Sequence, residues 1–191
     1  MRRHEKTMLT ATILALALAG SSLGFAGERP SQAHLARRGE AHSTEWLSRQ
    51  VRHQLLMLPY ATVFDNLEYR VNGYRVELLG QVVDPVLKSD AESAVKRIEG
   101  VEGVTNHIQV LPLSNFDDQI RFAMYRAIYG NPVLSKYGLG ANPSIHIIVD
   151  NGHVTLVGVV NSKMDKEIAT LRANSVPGVF SVKNDLKVQS S

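Results

Sequence analysis

The chain has 191 residues, with 21 basic and 18 acidic side chains, seven histidines and no cysteine. Lacking a thiol, it has no disulfide framework, no cysteine nucleophile and no cysteine to carry a lipid anchor. The formal charge of +3 shrinks when the first segment is set aside, because removing Arg2, Arg3, Lys6 and Glu5 leaves 18 basic against 17 acidic residues, and such a balance argues against a nucleic-acid-binding protein, which shows a basic patch or stripe.

Residues 1–26 read as a secretory signal peptide: MRRHEK is basic, Met8 to Ala19 is apolar, and small residues at Gly24 and Ala26 precede the expected cleavage. An uncleaved anchor needs about 20 apolar residues to cross the hydrocarbon core, and the run from Met8 to Ala19 is shorter. Residues 27–43, with Pro30, Ser31, Arg37, Arg38 and Gly39, have no period and read as a flexible leader. The expected product is soluble and exported.

Trp46, Leu47, Val51, Leu55 and Leu58 then fall on one helical face. Leu67, Tyr69 and Val71 alternate with polar residues, Asn72-Gly73 suggests a tight turn, and Val76, Leu78, Gly80 and Val82 alternate again, the pattern of a hairpin. Asp84 as N-cap and Pro85 at the first helical position open a second helix with Leu87, Ala91, Ala94, Val95 and Ile98 on one face. Gly100 stops it, and Val101, Val104, Ile108 and Val110 supply a third strand.

The second half writes the same unit again. Shifted by 78 residues, positions 66–110 align with 144–188 without a gap, and 12 of the 45 pairs are identical. Ile120, Met124, Ala127 and Ile128 form the first stripe, with Asp117 and Asp118 favourable at the positive end of the helix dipole. A connection from Gly130 to Ser144 leads to a hairpin of Ile145, Ile147 and Val149, then Asn151-Gly152, then Val154, Leu156, Gly158 and Val160. That connection is long for so small a unit, and such loops are often functional. Ser162 with Asp165 resembles a capping box, Met164, Ile168 and Leu171 form the expected stripe, Pro177-Gly178 ends the helix, and Val179, Val182, Leu186 and Val188 follow. The expected fold is α+β: two tandem α-β-β-α-β domains, residues 44–112 and 113–191, each a three-stranded sheet covered by two helices.

Little in this pattern looks reactive. His146 and His153 flank the second hairpin turn on the face opposite the valines, and are read as solvent-facing strand residues rather than metal ligands, since zinc needs three or four donors around one centre. No metal or cofactor is expected. Asn106 and Asn184 are read as fixing their own backbone bends. The segment from Ile120 to Gly138 interleaves cations with rings, a composition that suits a membrane interface. Its candidates for contact with lipid or a partner are Arg121, Tyr125, Arg126, Tyr129, Lys136 and Tyr137, against the alternative that the rings pack on the sheet.

The hairpin strand x-V-x-L-x-G-x-V, followed by G-V-x-x-V-x-N-x-(I/L)-x-V, resembles the BON domain of exported bacterial proteins, and both halves carry it. The resemblance spans roughly residues 44–188 and implies structural roles for Gly80, Gly100, Asn106, Gly158, Gly178 and Asn184. It offers no catalytic residue. It implies a non-enzymatic periplasmic protein of a Gram-negative bacterium, associated with phospholipid binding, envelope integrity and osmotic or envelope stress. The partner would be an anionic phospholipid surface or envelope proteins, with no nucleic acid. The alternative is a chaperone-like or structural module that binds proteins without lipid.

Overall fold

The computed structural model describes residues 43–140 and 142–189. The expected signal peptide, and the expected leader up to residue 42, lie outside the described residues. Ser43 caps the first helix, α1 (Thr44–Leu56), by accepting the Trp46 N–H at 3.1 Å, and the helix buries Leu47, Val51 and Leu55. Strands β1 (Asn66–Asn72) and β2 (Arg75–Val82) pair antiparallel. Asn72 pairs with Arg75 at the end of this ladder, so the turn is Gly73-Tyr74 rather than the expected Asn72-Gly73, with Gly73 at φ 60° supplying the reversal.

Helix α2 (Pro85–Lys96) begins where the Asp84 carboxylate accepts the Val86 N–H at 2.8 Å, and it buries Leu87, Ala91, Ala94 and Val95. It is a crossover: the chain returns to the other side of β2 and pairs with it parallel through β3 (Gly103–Asn106) and β4 (Gln109–Val110). The expected third strand is therefore two short pieces separated by a bend.

The second unit repeats this order with α3 (Asn115–Tyr129), a 3-10 turn (Ser135–Gly138), β5 (Ile145–Asp150), β6 (His153–Val160), α4 (Lys163–Asn174), β7 (Ser181–Asn184) and β8 (Lys187–Val188). Its strand pairing is the same, with β6 central, β5 antiparallel on one side and β7 and β8 parallel on the other. Each unit has its own core, one around Leu47, Val51, Leu78 and Ile108, the other around Ile120, Met124, Ile147, Leu156 and Leu186.

One stripe differs from expectation. Met164 and Leu171 are 67% and 70% exposed, while α4 buries Asp165, Ala169 and Ala173 and packs Ile168 partly against the core. The helix is rotated by about one residue from the expected face. The gapless repeat explains why: Leu87, Ala91 and Val95 of α2 correspond to Asp165, Ala169 and Ala173. An aspartate occupies a leucine's place in the core, and its neighbours supply what the apolar contact did.

The units touch through the segment between α1 and β1. Asp65 is buried and accepts from the Thr62 N–H at 2.8 Å, the Thr62 hydroxyl at 2.7 Å and the Val83 N–H at 2.8 Å, which fixes the loop. From this fixed loop the Val63 carbonyl accepts the Ile147 N–H at 2.7 Å on the outer strand β5, and Phe64 packs against the core of the second unit.

Candidate functional site

The ring-and-cation segment divides into buried and exposed members. Arg121 is only 3% exposed: it donates to the Asp118 carboxylate at 2.6 Å and to the Val149 carbonyl at 2.7 Å. It binds α3 to β5 and is withdrawn from any external phosphate, which corrects its expected role. Tyr129 donates its hydroxyl to the Ile145 carbonyl, and burial pushes its pKa up. Tyr137 is 6% exposed; its hydroxyl donates to Asp165 and accepts the Asn161 N–H at 2.8 Å. Tyr137 is thus an internal pin of the Gly130–Ser144 connection, while Tyr129, half-buried, anchors its start and lies against the Tyr125 ring, with centroids 5.0 Å apart. Lys136 is half-exposed, with its ammonium 3.0 Å from Asp165 and 5.0 Å from the centre of the Tyr137 ring, and the Asp165 carboxylate raises its pKa.

Tyr125 and Arg126 remain outward, joined by Phe122 of the same interleaved segment and by Tyr60 and Phe64, which the sequence did not single out. Phe122 is 62% exposed and Tyr125 47%. Phe64 meets both edge-on, at centroid distances of 6.1 and 6.5 Å. Tyr60 is 79% exposed, stands in the left-handed region at φ 68°, and lines with Phe64 and Phe122 a cleft of about 310 Å³ between the units. Periodicity gave no sign of Tyr60 and Phe64, which sit in a connector; two rings within YATVF were the available signal. The result is a surface of four rings from both units, with Arg126 exposed next to Tyr125.

The family model of the BON domain matches residues 43–112 and again 117–190. The chain belongs to the BON-domain family. No curated protein matches it. Two solved chains of CdsD, a structural protein of the type III secretion system of Chlamydia trachomatis, are similar to it at 12% and 15% identity. They cover 76% and 75% of this chain and 93% and 98% of their own, with TM-scores of 0.31 and 0.28, values too low to carry an argument.

Within each BON unit the repeated glycines and asparagines do matched work. A Cβ on Gly80 or Gly158 would lie 2.0 Å from the Asn66 or Ser144 carbonyl oxygen across the hairpin, and both glycines have positive φ. The Asn106 side-chain carbonyl accepts the Ile108 N–H at 3.1 Å, making the bend between β3 and β4, while its amide donates to the Lys88 carbonyl and to Glu92. Asn184 repeats this with the Leu186 N–H, the Lys166 carbonyl and the Thr170 hydroxyl. Each asparagine thus bends its strand and ties it to the crossover helix. Gly100 and Gly178, at φ 87° and 85°, follow those helices.

The histidines of the second BON unit lie apart. The ladder pairs Asp150 with His153 and His146 with Val157, which leaves the two histidines four positions from each other. His153 shares a hydrogen bond with the Ser181 hydroxyl at 2.7 Å. His146 is not solvent-facing as expected: it lies against the first unit, where burial lowers its pKa and the backbone carbonyls of Asp65 and Thr62 partly offset that. Its Nδ1 is buried without a hydrogen-bond partner. Asp117, expected to serve the helix dipole, is fully buried and accepts the Asn151 and Gly152 N–H groups of the hairpin turn at 2.9 and 2.8 Å. Among the described residues no group of three possible metal ligands comes together, and no helix is long and apolar enough to cross a membrane.

Proposed function

We propose that this tandem BON protein is an exported, periplasmic and non-enzymatic protein that adsorbs to phospholipid surfaces and supports envelope integrity under osmotic or envelope stress. The observation that carries the reading is the ring surface of exposed Tyr60, Phe122 and Tyr125, with half-buried Phe64 among them, beside Arg126. Rings of this kind rest at headgroup depth, and a neighbouring guanidinium meets lipid phosphates. With Arg121 held internally and the Lys136 charge directed at Asp165, the electrostatic share rests mainly on Arg126. Adsorption should therefore weaken as salt rises without vanishing, because screening acts on exposed charge and not on apolar contact.

Sedimentation with phosphatidylglycerol and phosphatidylcholine vesicles at low and high salt tests this. The protein should pellet with the anionic vesicles, pellet less at high salt, and lose most binding in the Phe122→Ser/Tyr125→Ser double variant, whose substitutions leave both cores intact. A protein that stays in the supernatant under every condition would remove lipid from the account and favour the protein-binding alternative.

A further inference from the structure

A second cleft, of about 350 Å³, opens between the BON units, sharing Thr62 and Asp65 with the first. Its apolar wall is Leu55, Leu56, Ala61 and Leu67, and its polar groups include Arg52, Asp65 and His146. A cleft of this volume at a domain interface, with an apolar patch beside polar groups, has the size and place of a small-molecule site.

The charges define what would fit. Asp65 is occupied by its three hydrogen bonds to Thr62 and Val83. Arg52 is exposed and has no ion-pair partner among the described residues. His146 carries a buried ring nitrogen without a partner. Among the described residues the charge in the cleft left without a partner is therefore the Arg52 guanidinium, and it lies beside the aliphatic patch of Leu55, Leu56 and Leu67. We infer that the cleft binds a medium-chain organic carboxylate, with the aliphatic tail on Leu55, Leu56 and Leu67 and the carboxylate on the Arg52 guanidinium. Neither the ring surface nor the vesicle reading is needed for this.

Octanoate, octanol and the Arg52→Gln and Leu56→Asp variants of the full chain form the test, by titration calorimetry and NMR. Both substitutions are at exposed positions, so the fold is kept. Octanoate should bind saturably, and Arg52→Gln should weaken it about tenfold or more, the scale of a lost charge-assisted hydrogen bond. Leu56→Asp should abolish it. A bound anion facing Arg52, Asp65 and His146 should also raise the midpoint of the His146 titration, which octanol should leave in place. Absence of saturable binding, equal affinity for octanol, or equal affinity of the Arg52→Gln protein would each overturn the inference, as would NMR shifts confined to Tyr60 and Phe122. Failure of vesicle binding alongside a positive octanoate result would sink the membrane reading and leave this one standing.

Discussion

Leu87 and Asp165 occupy the same place in the two units, and the substitution changes how that place is held. Leucine needs only apolar neighbours, whereas a buried carboxylate must be hydrogen-bonded. The second unit meets this with the Tyr137 hydroxyl and the Lys136 ammonium at 3.0 Å. The Tyr137 hydrogen bond is the largest cause holding the Asp165 carboxyl below the usual range. Because the folded value lies below the unfolded one, this carboxylate's contribution is complete above the unfolded pKa of about 3.9 and is lost as pH falls through the folded value. Tyr137→Phe should raise the Asp165 midpoint and start the acid loss of stability at higher pH. Carboxyl NMR titration and acid unfolding of both proteins check it; an unmoved midpoint would break the assignment. None of this was legible from Ser162 and Asp165 alone, which look like a capping box; the partner lies 28 residues away in a loop with no period.

Helices and strands were readable wherever apolar spacing was regular, as in α1, α2 and both hairpins. The reading of α4 slipped because Met164, Ile168 and Leu171 are its large apolar residues, and size suggested burial. The face that packs is built from Ala169 and Ala173, small enough to let the helix sit close to the sheet. The repeat held the correction in plain view, since Ala91 and Ala169 are aligned and identical. Leu171→Gln should change stability by no more than about 0.5 kcal/mol, while Ala169→Leu should cost about 1–3 kcal/mol through overpacking. Urea unfolding of the two variants separates them, and equal losses would contradict the observed rotation. The bends at Asn106 and Asn184 show the reverse case, where one residue type marked a local feature correctly but gave no hint that its amide also reaches a helix 18 residues back.

At the scale of the whole molecule, two domains were visible in the sequence, and their docking was not. The contact lies in the connector from Tyr60 to Asp65, whose importance rests on a tertiary neighbour no periodicity encodes. Phe64 packs, half-buried, against the second core, so loss of its ring should cost about 2 kcal/mol. In Phe64→Ala, calorimetry should resolve two melting transitions where the parent shows one, because cooperativity between units depends on their interface. A single unchanged transition would mean that the units are coupled by other contacts.

The bond from the Ile147 N–H to the Val63 carbonyl has a consequence for assembly. It covers part of an outer strand reading Ile-His-Ile-Ile-Val, a sequence suited to adding further strands. The cover is tethered to the strand it protects, so it acts at the high effective concentration of an intramolecular contact. Separating the two units would release that protection, and a second unit prepared alone should self-associate through β5 in proportion to its concentration. The first unit serves the second as a built-in guard against polymerisation.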